Sequence, residues 1–197
     1  MARRPAGDPY VYPGTATLRN RFGLRDPGLL RVAEYVATRA RGLDAPWFPL
    51  TPEGFKATHR HLFQDVFPWA GQVRTVELTH PRNAGPFAFA RLIEGALSRQ
   101  FRDLAAGGGV AGLDAAAFAA RAAHHVGELN AIHAFREGNG RTMRLHLQRL
   151  ATGAGHRLDT SRLPAEAWNE ASNVSFHKGD DGPLASVILR GMGGPGI

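Results

Sequence analysis

Residues 114–152, DAAAFAARAAHHVGELNAIHAFREGNGRTMRLHLQRLAT, decide how this chain folds. Asp114 is a capping residue ahead of an alanine-rich run with apolar positions at helical spacing, so a helix is expected from about Asp114 to His133. A second helix is expected from about Gly140 to Thr152. The residues between them are too few for a linker and too glycine-rich to continue either helix. This arrangement sets the backbone N–H groups of Gly138, Asn139 and Gly140 at the open N-terminus of the second helix. Orphan donors and the helix dipole both favour an anion at such a terminus.

Working outward, Asp26-Pro27 gives an N-cap and a first-turn proline for a helix to about Arg41, with Leu29, Leu30, Val32, Ala33, Val36 and Ala37 as its apolar face. Thr51-Pro52-Glu53 opens another, carrying Phe55, His59, Leu62 and Phe63 and broken by Phe67-Pro68-Trp69-Ala70-Gly71. Val73–Leu78 and Pro86–Phe89 read as extended segments around a turn at His80–Gly85, because β-branched residues alternate in the first and Pro, Asn and Gly mark the turn. Helices follow from about Ala90 to Ala105, Glu166 to Phe176 and Leu184 to Arg190. The expected fold class is all-α, a helical bundle with one short β-hairpin, in a single domain over residues 1–197.

Composition narrows the function classes. Hydrophobic residues make up 43% of the 197 and charged residues 21%, as in ordinary globular domains. No apolar run approaches the roughly 20 residues that span a bilayer, and no apolar segment follows the two N-terminal arginines as a secretory signal requires. With no cysteine, disulfides, thiolate metal sites and cysteine nucleophiles are all excluded. A cytoplasmic protein is expected. The net charge of +7 is almost all arginine, spread along the chain, and does not by itself argue for nucleic acid. Neither His124-His125 nor His59 with His61 has the spacing of a zinc site, and Trp69 reads as a core anchor.

The loop carries the chemistry. His133 ends the first helix and suits a general base near neutral pH. Glu137 is a hard oxygen ligand of the kind Mg²⁺ shares with substrate phosphates. Arg141 and Arg144, one helical turn apart, can face the same phosphates. Phe135, apolar in a polar loop, is expected to anchor it in the core. No GxxxxGK[ST] phosphate loop is present.

The stretch His133–Arg144, HAFREGNGRTMR, resembles the Fic motif HxFx[D/E]GNGRxxR at every fixed position; only the commoner proline after the histidine is replaced, by Ala134. The segments YVYPGTATLRNRFGL, HRHLFQDVFPWAGQVRTVEL and SFHKGDDGPLASVI resemble the bacterial Fic subgroup that pairs with a separate small antitoxin. The resemblance implies a protein adenylyltransferase that moves AMP from ATP to a Tyr, Thr or Ser hydroxyl of a target protein and releases pyrophosphate. It implies His133 as base, Glu137 as holder of Mg²⁺, and Gly138, Asn139 and Gly140 as phosphate cradle. Arg141 would bind the β-phosphate region and Arg144 the γ-phosphate, and Asn173 is expected near the nucleotide base. The hairpin becomes a flap over about 73–89 that docks the target as an added strand, through Thr75, Val76, Glu77 and Leu78 and through Phe87, Ala88 and Phe89.

Family members restrain AMP transfer with a helix carrying [S/T]xxxE[G/N], and no glutamate here has a Ser or Thr four residues before it. The resemblance therefore implies an antitoxin that supplies this helix in trans, directed at Arg144. Relatives include toxins acting on type II topoisomerase subunits and domains of secreted, host-directed effectors. Two other classes remain: a metal-dependent nuclease using His133, Glu137 and Asn139, and a non-catalytic anion-binding module. The paired arginines suit a triphosphate better than a phosphodiester.

Overall fold

The expected helix at 114–133 forms as α4 (Ala115–Ile132), capped by the Asp114 side chain accepting from the Ala117 N–H. The computed structural model describes residues 7–80 and 85–192. Ahead of α4 come α1 (Pro27–Leu43), α2 (Pro52–Phe63) and α3 (Ile93–Ala106); after it come α5 (Asn139–Gly153), α6 (Ala165–Lys178) and α7 (Gly182–Gly191). Short 3₁₀ turns at Ala90–Leu92 and Thr160–Arg162 lead into α3 and α6. Asp26 caps α1 through the Leu29 N–H and Thr51 caps α2 through the Gly54 N–H, with proline in the first turn of each.

Helix α4 packs against α3, α5, α6 and α7. Its Phe118, Ala122, Val126 and Leu129 meet Leu147 and Leu150 of α5 and Leu184 and Ile188 of α7, all 2% exposed or less. Burying each large side chain contributes roughly 1.5–3 kcal/mol. A second cluster joins Phe63, Val66, Phe67 and Trp69 to Tyr10, Leu30 and Leu145. The core thus grips both helices that flank the loop. Among the described residues no helix is long and apolar enough to cross a membrane.

Two expectations are corrected. The apolar face assigned to α1 is largely outside: Leu29, Val32 and Val36 are 59–63% exposed, and only Leu30 and Thr38 of that helix are buried. The face turned inward carries Glu34 and Thr38, both of which bond the Arg141 guanidinium. Polar pairing, which periodicity does not see, sets the rotation of this helix.

The hairpin is reduced to one antiparallel bridge, Thr79 with Pro86, beside the Phe87 N–H donating to the Leu78 carbonyl. The middle of its turn, residues 81–84, lies outside the described residues. Beyond the Phe87–Leu78 bond, Thr75–Leu78 and Phe87–Phe89 do not pair as strands, because the Thr75 N–H donates to the Tyr10 hydroxyl and the Ala88 N–H leaves the flap. Arg74 N–H donates to the Ala134 carbonyl and Ala88 N–H to the Ala131 carbonyl. The flap is held to itself at its tip-side bonds and fastened to the end of α4 at its base.

Candidate active site

His133 is the C-cap of α4 and sits in the left-handed region, φ 48° and ψ 60°; among the described residues it is the only non-glycine with positive φ. That conformation costs an L-residue about 1–2 kcal/mol and turns the chain sharply out of the helix. The Phe87 ring stacks on the imidazole at 3.8 Å and 14°. Burial pushes the His133 pKa down to about 4, while the nearby Asn130 carbonyl works the other way. The ring is therefore neutral at neutral pH, with a lone pair to accept a proton. Its Nδ1 is buried and makes no hydrogen bond.

The loop after it is braced from inside. Phe135 is fully buried and stacks on His59 at 3.8 Å. The Asn139 side chain closes the loop, accepting from the Phe135 N–H (2.9 Å) and donating to the Phe135 carbonyl (2.7 Å). His59 Nδ1 accepts from the Gly71 N–H, which leaves its Nε2–H to donate to the Glu137 carbonyl at 3.0 Å. Gly138 opens α5 at φ 85°, and a Cβ there would stand 2.3 Å from the Phe63 ring. Both the conformation and the close approach require glycine.

Where α5 begins, its N-cap offers no side-chain bond and its first turn holds no acidic residue. The Glu137 carboxylate accepts the Gly138 N–H at 2.9 Å and lies 3.7 Å from Arg141. Gly138 thus donates within its own loop, so one of the three expected cradle N–H groups serves the loop's shape, and the Asn139 side-chain amide helps to close that loop. Gly140 differs: a Cβ there would meet nothing within 4 Å.

A cavity of about 540 Å³ opens over this terminus. His133, Glu137, Gly140, Leu78 and Phe87 line it, and Trp168, Ser172 and Asn173 of α6 close the far wall. Ser172 Oγ, like His133 Nδ1, is buried without a hydrogen-bond partner among the described residues. An unsatisfied buried polar atom costs about 1–3 kcal/mol, and two on one cavity mark where a polar ligand belongs. Arg141 stands behind the loop, ion-paired with Glu34, bonded to Thr38 Oγ1 at 3.2 Å and stacked 4.7 Å over Phe63. Arg144 lies 5.4 Å over the Trp168 ring, and among the described residues it has no carboxylate partner. Of the flap residues, Glu77 accepts from the Ala90 N–H and Phe89 is half exposed. Among the described residues no group of three His, Asp or Glu could hold a metal. A lone carboxylate beside an anion site is the donor set of an ion that shares substrate phosphates.

The sequence reading missed two residues. His59 is singled out only by its place on an apolar helix face. Arg74 is 1% exposed, yet it reads in sequence as one more arginine in an alternating run.

The family model for the Fic/DOC family matches residues 49–151, which hold α2, α3, α4, the whole loop and all but the last two residues of α5. A relative from Sinorhizobium fredii named "Probable protein adenylyltransferase y4lH" is 40% identical over 93% of this chain and 95% of its own. The protein adenylyltransferase VbhT of Bartonella schoenbuchensis is 34% identical over 94% of this chain, which spans 39% of that longer protein. Among solved structures, BepC of Bartonella tribocorum with bound AMPPNP superposes at TM-score 0.84 with 26% identity, covering 95% of this chain and 97% of that one. Motif, fold and relatives agree, and the chain belongs to the Fic/DOC family.

Proposed function

We propose that this protein adenylyltransferase uses His133 as general base and the α5 terminus as its phosphate site. The observation that carries the reading is the single cavity that unites the His133 ring, the Glu137 carboxylate and the bare backbone of Gly140. A target Tyr, Thr or Ser hydroxyl attacks the α-phosphorus of ATP and passes its proton to the His133 ring. The new O–P bond forms as the bond between the α-phosphorus and the β-bridging oxygen breaks, and pyrophosphate leaves. Such transfers depend on positioning and charge stabilisation more than on covalent help from the protein. Glu137 would hold Mg²⁺ together with the substrate phosphates, and the ion would supply charge neutralisation. Gly140, with Gly138 and Asn139 shaping the turn, brings the phosphates to the helix end. Arg141 and Arg144 complement the outer phosphates, and Asn173 faces the base. The flap segment around Thr79 and Pro86 docks the target backbone.

Arg144, which has no carboxylate partner among the described residues, supports a partner that supplies a carboxylate in trans, as an antitoxin bearing [S/T]xxxE[G/N] does; a bacterial toxin acting in the cytoplasm follows from that pairing. The test is incubation of the full chain and of His133→Ala with α-labelled ATP, Mg²⁺ and cell lysate. Protein labelling by the wild type and none by the variant, with AMPPNP binding kept, supports the reading. Labelling that survives the substitution removes His133 as base. DNA cleavage without labelling replaces the reading with a nuclease. Labelled targets found in a eukaryotic lysate alone would move the role from toxin to exported effector.

A further inference from the structure

Arg74 lies in the segment that enters the flap, and its side chain is wholly buried. Nε donates to the His133 carbonyl at 2.8 Å. One terminal nitrogen donates to Val76 (2.7 Å), and the other to both Ala88 (2.6 Å) and Ile132 (3.2 Å), always at backbone carbonyls. Its own N–H reaches the Ala134 carbonyl at 2.9 Å. The Glu77 carboxylate stands 3.8 Å away.

This pattern is not what stability alone selects. Burying a guanidinium whose one carboxylate neighbour is largely exposed and does not hydrogen-bond it is expensive, and an apolar side chain of similar volume commonly serves a core better. What the arginine gains is reach. Its donors bracket the catalytic histidine, taking the carbonyls of Ile132 before it, of His133 itself and, through the main chain, of Ala134 after it. The first two are carbonyls that the end of α4 leaves without helical partners, where a cation also meets the negative end of the helix dipole. The remaining donors take one carbonyl from each side of the flap, at Val76 and Ala88. Between those points the flap carries Phe87, whose ring lies on the His133 imidazole.

We propose that Arg74 is the positioning residue that holds His133 in its left-handed conformation and locks the flap to it, so that target docking and placement of the base are one structural event. It touches neither nucleotide nor target and acts through the backbone of both sides. The inference rests on the proposed roles of His133 and the flap.

The test is Arg74→Lys in the full chain, which keeps the charge but not the fork that reaches four carbonyls. The fold, followed by circular dichroism, and AMPPNP affinity are expected to stay within about threefold of wild type, because the α5 terminus is untouched. Turnover is expected to fall at least tenfold with a raised KM for target. Amide exchange is expected to quicken together at 76–80, 85–88 and 131–134 and to stay unchanged in α3. Turnover within twofold of wild type, with those segments exchanging faster, overturns the proposal and leaves Arg74 a fold staple. If wild type itself transfers no AMP, the functional reading fails, while the joint exchange still reports on the lock. Should Arg74→Lys not fold, the native chain decides. The Arg74 and Ala88 amides, which donate to Ala134 and Ala131, must open as one unit in denaturant-dependent exchange, and separate opening overturns the lock.

Discussion

The Glu34 carboxylate of α1 is ion-paired with the Arg141 guanidinium of α5, across 107 residues of sequence. Arg141 also has Glu137 at 3.7 Å, so two carboxylates share this cation before any nucleotide arrives. With Arg141 serving the phosphates as proposed, Glu34 competes with them as well as tethering α1 to α5. Removing its charge takes one negative group away from the proposed phosphate site, worth about 1 kcal/mol at close range where water screens the charges. Glu34→Gln is expected to bind AMPPNP about fivefold more tightly and to lose about 1 kcal/mol of stability, since Arg141 is partly exposed and the pair is screened. Calorimetry reads both. Weaker nucleotide binding would show that Glu34 aims Arg141 instead of competing for it.

Gly140 gives a prediction in which stability and function diverge. Nothing in the protein crowds a Cβ at this position, and glycine within a helix costs about 0.5–1 kcal/mol relative to alanine. A residue kept bare against its own stability is there for something that approaches. Gly140→Ala is expected to raise the melting temperature slightly and weaken AMPPNP binding at least tenfold. Stabilisation with unchanged affinity would detach Gly140 from the phosphate site. Gly138→Ala is the contrast: collision with Phe63 should destabilise the fold outright.

These pairs show what the chain reveals before it folds. The helices and the loop were legible because capping, periodicity and glycine breaks act within a few residues. The rotation of α1 was not, because Glu34 faces inward only to meet Arg141, while the more apolar stripe through Leu29, Val32 and Val36 stays outside. The flap's alternation of β-branched residues suggested paired strands, but Arg74 and Ala88 direct their N–H groups to the end of α4. His133, Glu137 and Gly140 line one cavity, and their grouping is legible because the motif is contiguous. The residues that brace it, His59 and Arg74, come from α2 and the flap and bond backbone carbonyls, which leave no trace in side-chain spacing.

His59 supplies the next prediction. Its two ring nitrogens join the Gly71 N–H to the Glu137 carbonyl, and its face carries Phe135. His59→Phe keeps the stacking and removes both hydrogen bonds, leaving two buried backbone groups unpaired at about 1–3 kcal/mol each. The urea midpoint should fall accordingly. Because Glu137 is the residue released, nucleotide binding should lose its dependence on Mg²⁺ more than its Mg²⁺-free strength. An unchanged midpoint, or an equal loss with and without Mg²⁺, would separate His59 from the placement of Glu137.

The acid limit of the fold follows from the same buried rings. Burial holds His59 at about 3, His133 at about 4 and His146 at about 4, and it lowers His125 well below the ordinary 6.5. In the unfolded chain each ring takes up a proton as pH falls through about 6.5, while the folded rings stay neutral until pH nears their lowered values. Between those limits the unfolded state binds more protons, so stability is lost as pH falls, by up to about 1.4 kcal/mol per pH unit for each histidine. Glu34, whose carboxyl is raised mainly by burial, works in the opposite direction and offsets a small part. The steepest share is expected from the pair beneath α5. His125 Nδ1 accepts from Gln100 (3.1 Å), so its Nε2–H donates to His146 Nε2 (3.0 Å), and a proton on either ring breaks that chain. Urea midpoints are expected to be level from pH 8 to 7 and to drop progressively from about 6.5 toward 4.5. A midpoint level down to pH 4.5 would mean that the folded rings take up protons over the same range as the unfolded ones, and that burial does not hold them neutral.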